Sequence, residues 1–225
     1  LYMDELIKGH GAIMDQYDPE KKIGLIIDEW GNWFDVEPGT NPGFLYQQNT
    51  MRDAIVAGIN LNIFNKHCDR VKMANIAQMV NVLQSVILTE GEKMVLTPTY
   101  HVFHMYKYHQ DAELLESSID TETIGVDEEN EVPNLNESVS MAEDGTVNIT
   151  LTNLSATESY PVELVLLEKE IGEVSAEIVT GDKKAYNDFD HDSDVVEKAF
   201  TDIANENGVL KFTIPACAVM HIAVK

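Results

Sequence analysis

The chain has 225 residues and a mass of 25.2 kDa, which corresponds to one or two domains with a sizeable core. Apolar residues make up 44% and charged residues 24%, a mixture that argues against disorder and low-complexity sequence. The formal net charge of −24 disfavours nucleic acid and anionic membranes as partners, because both are negatively charged. No apolar run approaches the ~20 residues that a membrane-spanning helix needs.

The first 110 residues alternate between helical and strand-like patterns. The predicted elements are, in chain order, a helix over 3–17, a strand over 23–27, a Gly/Pro-rich loop over 37–43, a helix over 51–61, a strand over 71–74 and a helix that begins at Thr97-Pro98. The short, continuously apolar strands are typical of parallel sheets with helices on both faces. The order of elements therefore predicts α/β crossover units.

The second half of the chain changes to a period of two. Alternating apolar side chains predict strands over 147–151, 162–166, 210–214 and 220–224. Asp144-Gly145 before the first of them is a hairpin signal. Several short alternating strands with turns between them indicate an antiparallel β-sandwich of the jelly-roll type.

A step in charge marks the predicted boundary between the two halves. Residues 1–110 carry 9 basic and 13 acidic residues (net −4), whereas residues 111–225 carry 6 and 26 (net −20). Two parallel strands cannot close a sheet, so we predict that residues 1–110 are the C-terminal part of a (β/α)8 barrel whose other strands precede Leu1. Cys68 and Cys217 form no readable disulfide framework, and the sequence leaves a cytoplasmic or exported location open.

Glu29 is the sharpest candidate for chemistry. It follows an apolar strand, and reactive groups cluster at the carboxyl ends of parallel strands. Trp30 and Trp33 are close in sequence, and an indole offers a flat apolar face to a sugar ring. A carboxylate there can attack or stabilise an oxocarbenium-like centre. From position alone, a structural role for Asp28 or Glu29 at the strand end is equally favoured.

These motifs resemble glycoside hydrolase family 51, the α-L-arabinofuranosidases. The resemblance is dense over residues 20–110 and loose from 111 to about 175. The matching segments are IGLIIDEWGNWF at 23–34, DVEPGTNPG at 35–43, NIAQMVNVL at 75–83, LTPTYHVFHMY at 96–106, IVTG at 178–181, YNDF at 186–189 and IPACAV at 214–219.

The resemblance implies a (β/α)8 barrel followed by a jelly-roll sandwich. It implies an enzyme that removes terminal α-L-arabinofuranosyl residues from plant polysaccharides by double displacement, with no cofactor and no metal. Glu29 falls on the catalytic nucleophile, while Trp33, Gln78 and, more weakly, Asn75 fall on substrate-binding positions. The family's acid/base glutamate lies upstream, and this chain contains no matching segment.

Retaining hydrolysis needs two carboxyl groups about 5–5.5 Å apart. Adjacent strand residues point to opposite faces, so Asp28 is not expected to be the partner of Glu29. We therefore expect the isolated chain to be inactive. Its expected partners are arabinose-containing oligo- or polysaccharides and the missing N-terminal barrel segment, and the resemblance also raises the odds of a homo-oligomer.

Two alternatives remain open at this point. The sandwich could be a noncatalytic carbohydrate-binding or structural module, although residues 111–225 contain no tryptophan. The same mechanism could also act on another plant polysaccharide linkage.

Two further clusters have simpler interpretations than metal binding. His101, His104 and His109 share a predicted helix, but no carboxylate or thiolate joins them at a ligand spacing, so packing or surface roles are favoured. Alternating aspartates over 188–194 resemble the start of a calcium loop, but the positions where an EF-hand requires Gly and Glu hold other residues.

Overall fold

The computed structural model describes residues 1–127 and 130–225. The run of acidic residues over 127–131 predicts an exposed loop, and it includes residues 128 and 129, which lie outside the described part. Within that part, no helix combines the length and the apolar character needed to cross a membrane.

The helices are α1 (Tyr2–Tyr17), α2 (Met51–Lys66) and α3 (Pro98–Tyr106), with 3-10 turns at Pro42–Phe44 and Lys107–His109. The strands of the first half are β1 (Leu25–Trp30), β2 (Val71–Ile76), β3 (Ile87–Glu90) and β4 (Lys93–Leu96). The strands of the second half are β5 (Glu113–Leu114), β6 (Thr123–Ile124), β7 (Val132–Pro133), β8 (Leu135–Met141), β9 (Val147–Asn153), β10 (Tyr160–Val165), β11 (Val174–Thr180), β12 (Lys198–Ala199), β13 (Ala204–Glu206), β14 (Val209–Ile214) and β15 (Ala218–Val224).

The first half contains the three predicted helices and a parallel pair, β1 with β2. Helix α2 begins at a capping box, in which the Asp53 carboxylate accepts from the Thr50 main-chain N–H at 2.9 Å and the Thr50 hydroxyl accepts from the Asp53 main-chain N–H. The C-terminal end of α1 is tied to β2 because the buried Arg70 guanidinium donates to Asp18 at 2.7 Å and also pairs with Asp15. These contacts hold the end of α1 beside the start of β2.

The opposite face of the parallel pair is open, which corrects the expectation of strands buried on both faces. Ile26 and Met73 are paired across the two strands and are 52% and 53% exposed. On the other face, Ile27 and Ala74 pack against the core formed with α2 and α3. Apolar strand faces are normally covered, so an exposed apolar face is unusual for a parallel pair.

The second half is an antiparallel β-sandwich, as predicted. A six-stranded sheet has the order β12-β11-β15-β9-β8-β5, and a three-stranded sheet has the order β10-β14-β13. Apolar side chains from both sheets, including Ile149, Phe212 and Ile222, form one core between them. Gly145, with φ of +82°, lies in the turn between β8 and β9 where the hairpin signal predicts it. The domain boundary near residue 110 and the jelly-roll class stay predictions.

The outer face of the six-stranded sheet packs on α2 through a buried polar network. The Asn62 side-chain oxygen accepts hydrogen bonds from Tyr106 at 2.8 Å, Ser138 at 2.9 Å and Thr150 at 2.7 Å. The His109 ring lies 3.0 Å from the Thr150 hydroxyl. Buried polar groups are tolerated when they satisfy one another, so this network specifies how helix and sheet fit together.

Acidification is expected to destabilise the protein through His109 and through His221 of β15, whose ring stacks on Tyr108 at 4.6 Å between centroids. Burial lowers the pKa of His109 to about 4, and burial with the charge of His109 lowers the pKa of His221 to about 4. An unfolded histidine has a pKa near 6.5, so stability from the neutral rings is complete above pH ~6.5 and is lost as the pH falls toward 4. The loss is up to about 3 kcal/mol for each histidine.

Urea midpoints measured between pH 7.5 and 4.5 test this expectation. The double variant His109→Gln/His221→Gln should show a clearly flatter pH dependence than the unaltered protein, because both rings are removed from the titration. An identical slope in the two proteins would contradict it.

Candidate active site

Glu29 lies near the C-terminal end of β1, and its side chain is exposed. Gln78 follows β2, and its Nε2 donates to Glu29 Oε1 at 3.4 Å. The carboxyl ends of parallel strands share one edge of a sheet, which is why residues 49 positions apart meet here. The structure thus brings together two of the predicted site residues.

An irregular register interrupts β1 where it carries Glu29. Ile27 pairs with Ala74, but Trp30 pairs with Ile76, so β1 contains one more residue than its partner over this step. Such a bulge re-aims side chains and is frequent next to active sites. Because of this bulge, the side chains of Asp28 and Glu29 need not point to opposite faces of the sheet. The expectation that Asp28 is not the second carboxyl group stays a prediction, and strand alternation no longer supports it.

The two tryptophans near Glu29 have different environments. Trp30 is only 5% exposed; its ring is stacked with Phe103 and T-shaped to Phe64, at centroid distances of 6.0 and 5.4 Å. Trp33 is 69% exposed. Trp30 is thus a core residue, and the flat apolar face available to a ligand is that of Trp33.

The residues on both sides of Trp33 are held in place. Asn32 Nδ2 donates to Asp53 Oδ1 at 2.7 Å, at the start of α2. The buried Gln47 carboxamide accepts from the Phe34 main-chain N–H and donates to the Phe34 carbonyl oxygen, both at 2.8 Å. Trp33 is therefore displayed on a segment that is anchored at both ends, which lowers the entropy lost when a ligand stacks on it.

Asn75 lies beside the strand that carries Glu29. Its Nδ2 lies 3.5 Å from the Ile27 carbonyl oxygen, at the limit of a hydrogen bond, and its side chain is exposed. Its contact in this structure is thus to the β1 main chain, and its substrate role stays a prediction.

Buried amides that sequence reasoning missed hold the surrounding loops. Asn49 Nδ2 donates to the Gln84 carbonyl oxygen at 2.9 Å and to Thr99 Oγ1 at 2.7 Å. Gln47, Asn49 and Gln84 are each at most 2% exposed. The sequence signal for these contacts was the run Gln47-Gln48-Asn49 before α2. Such a run is equally compatible with buried side chains that hold a loop and with an exposed loop.

His104 of α3 lies within hydrogen-bond distance of two neighbouring side chains. His104 Nδ1 lies 2.8 Å from Glu197 Oε1, and Lys107 approaches the other ring nitrogen at 2.7 Å. In the 188–194 loop, the Asp188 carboxylate accepts main-chain N–H groups of Asp190 and His191. Across residues 1–127 and 130–225, no three His, Cys, Asp or Glu side chains converge as metal ligands would.

The sandwich offers little aromatic surface for a sugar. Phe200 and Phe212 meet edge to face against its core. Tyr160 packs against the same core, and Tyr186 is 42% exposed. The alternative of a carbohydrate-binding sandwich therefore gains no support from an aromatic platform in the described residues.

Comparison with known proteins gives a consistent result over the whole chain. The family model for the α-L-arabinofuranosidase C-terminal domain matches residues 28–218. An intracellular exo-α-L-arabinofuranosidase of Bacteroides ovatus is 43% identical over all of this chain and 44% of its own length. An exo-α-(1→6)-L-arabinofuranosidase of Bifidobacterium longum is 26% identical over 99% of this chain and 47% of its own length.

Solved structures show the same extent of similarity. The family 51 arabinofuranosidase of Xanthomonas axonopodis pv. citri superposes with a TM-score of 0.95 and 45% identity, covering 99% of this chain and 45% of that protein. The chain thus spans a little under half the length of the relatives it matches.

Proposed function

The chain belongs to the α-L-arabinofuranosidase C-terminal domain family of the family 51 glycoside hydrolases, and from that premise we propose that it supplies the nucleophile of a retaining α-L-arabinofuranosidase. The observation that carries the proposal is the exposed Glu29 carboxylate at the end of β1, in contact with Gln78. The displayed Trp33 adds a surface on which a furanose ring can stack.

The chemistry follows from one carboxylate on this chain and a second carboxyl group from a preceding segment. Glu29 attacks the anomeric carbon and forms a glycosyl ester as the glycosidic bond breaks, while the second group gives its proton to the departing oxygen. That group, now ionised, takes a proton from water, and the water oxygen attacks the same carbon. Arabinose leaves, Glu29 is regenerated as a carboxylate and the second group is protonated again.

The open face of the parallel pair gives the preceding segment a place to pack. Ile26 and Met73 expose apolar surface on the side away from α2 and α3. Strands of a (β/α)8 barrel that precede β1 would extend the sheet at its free edge, and side chains pointing into the barrel would cover this face. In this proposal, residues 1–110 are the end of that barrel and the sandwich has a structural role.

The proposed substrates are terminal α-L-arabinofuranosyl groups of plant polysaccharides. The names of the Bacteroides ovatus and Bifidobacterium longum relatives describe exo-acting arabinofuranosidases, the former intracellular. We extend the exo action and the intracellular location to the complete protein as part of the same proposal, and homo-oligomer formation stays a prediction.

A slow substrate can trap the proposed intermediate. The complete enzyme, incubated with an activated 2-fluoro-α-L-arabinofuranoside, is expected to gain the mass of one fluoroarabinosyl group on the peptide that contains Glu29. Mass spectrometry of a proteolytic digest locates the label. A label on another carboxylate, or a first-formed product of inverted configuration seen by NMR, would contradict the proposed role.

The isolated 225-residue chain is expected to show no measurable turnover of an aryl α-L-arabinofuranoside. The reason is that one carboxyl group cannot both attack the sugar and protonate the leaving group. The complete enzyme, assayed beside it at the same molar concentration, serves as the positive control. Turnover by the isolated chain that is lost in Glu29→Gln would show that the second carboxyl group lies within these residues.

A further inference from the structure

Gln84 occupies the space between the two loops that leave β1 and β2. It is 2% exposed, and its Nε2 donates to the Ala77 carbonyl oxygen at 3.0 Å. Ala77 directly precedes Gln78, whose carboxamide contacts Glu29. The Gln84 side chain therefore holds the peptide that carries Gln78.

The same carboxamide also lies against the loop that follows Glu29. Gly31 has φ of +141°, and a Cβ atom at this position would lie 2.7 Å from Gln84 Nε2. The Ala77 N–H donates to the Trp30 carbonyl oxygen at 2.9 Å, which closes the connection between the two loops. Because the Gln84 carboxamide packs against the Gly31 main chain and bonds to Ala77, it connects the loops that follow β1 and β2.

Packing alone does not explain an amide at this position. Gln84 Oε1 is buried and has no hydrogen-bond partner among the described residues, which is costly for a polar atom. A methionine side chain of similar volume would fill the space without that cost. The bond from Nε2 to Ala77 is the contact that only the amide supplies.

We propose that Gln84 is a positioning residue that directs the Gln78 carboxamide toward Glu29. The inference rests on the proposed nucleophile role of Glu29. Among the described residues the Gln84 side chain makes no hydrogen bond to Glu29; it acts through the Ala77 peptide. The 3.4 Å hydrogen bond between Gln78 and Glu29 is long, as catalytic hydrogen bonds often are before substrate binds. A small shift of the Ala77–Gln78 peptide therefore decides whether this bond shortens.

The Gln84→Met variant of the complete enzyme tests this role. We expect kcat/KM to fall by about 10- to 100-fold, because a displaced donor no longer supports the reacting carboxylate. We also expect the acid limb of the pH profile of kcat/KM to move upward by about half a unit, since a hydrogen bond to the ionised form is weakened.

Two further variants separate positioning from general damage. Gln47→Met removes another buried carboxamide, whose hydrogen bonds are to the Phe34 main chain and not to Ala77, so the acid limb of this variant should stay in place even if KM rises. In a Gln78→Ala background, Gln84→Met should no longer move the acid limb, because the group it directs is absent.

Each outcome decides the inference. An unmoved acid limb in Gln84→Met, an equal shift in Gln47→Met, or an undiminished shift in the Gln78→Ala background would overturn it. If Gln84→Met does not fold, Gln84→Asn, which keeps the amide but shortens its reach, takes its place, and failure of both to fold would assign Gln84 a purely structural role. If Glu29→Gln retains activity, the proposed function itself fails. If Glu29→Gln is inactive but Gln84→Met has normal kinetics, the proposed function stands and only the role of Gln84 is overturned.

Discussion

Replacing Glu29 with glutamine in the complete enzyme is expected to lower kcat by at least about 10³-fold while the fold is retained. The amide is nearly isosteric with the carboxylate, but it cannot form the glycosyl ester. The side chain is exposed and contacts Gln78 at 3.4 Å, so the substitution leaves the core untouched. Initial rates on an aryl α-L-arabinofuranoside, together with urea midpoints, measure both effects.

The matched control is Asp28→Asn. It removes the same charge from the neighbouring residue of the same bulge, and Asp28 is exposed as well. We expect this variant to keep activity within a few-fold of the unaltered enzyme. Near-normal turnover in Glu29→Gln would remove Glu29 from its role, and a collapse of activity in Asp28→Asn would move the assignment to its neighbour.

Replacing Gly58 with alanine is expected to destabilise the protein by about 2 kcal/mol. Gly58 lies on the face of α2 that meets the six-stranded sheet, where a Cβ atom would lie 2.7 Å from Thr152 Oγ1 and 3.0 Å from Val219 Cγ2. The Gly58 carbonyl oxygen also accepts a hydrogen bond from Tyr106, so the helix cannot shift without cost. The loss outweighs the gain of up to about 1 kcal/mol that alanine gives a helix.

Gly11→Ala in α1 is the matched control. A Cβ atom there would have no neighbour within 4 Å, so only the helix propensity changes. We expect a gain of about 0.5–1 kcal/mol. Urea unfolding of the two variants side by side gives the sign of each change; equal or same-sign shifts would mean that the close approach of helix and sheet does not determine stability here.

The parts of the fold that could be predicted are those with a strong apolar period. The three helices and the strands around Ile149 and Ile222 could be predicted because apolar side chains recur along each of them at the helical or the strand period. The hairpin of β3 and β4 was not predicted, because apolar residues do not mark its buried face: Leu88 and its partner Val95 are buried, but Met94 is 62% exposed. The exposure of the Ile26 side chain was not predicted either, because an apolar run in the sequence does not show which elements pack against it.

The residues of the candidate site also differ in whether the sequence could predict them. Glu29 could be found because strand ends place functional groups, and Gln78 and Trp33 came from the family resemblance. The buried roles of Gln47 and Gln84 depend on which main-chain groups they meet, and no local pattern encodes those partners. The bulge at Glu29 likewise depends on pairing with β2, a partner more than 40 residues away.

Strand β9 is buried at all seven positions, with apolar side chains on its sandwich face and a polar network on the face toward α2. The core around α2 also includes Val179 and Val219 from the sandwich sheet. A sandwich excised at the predicted boundary near residue 110 would leave this helix without its support. The two halves are therefore expected to unfold in one cooperative transition.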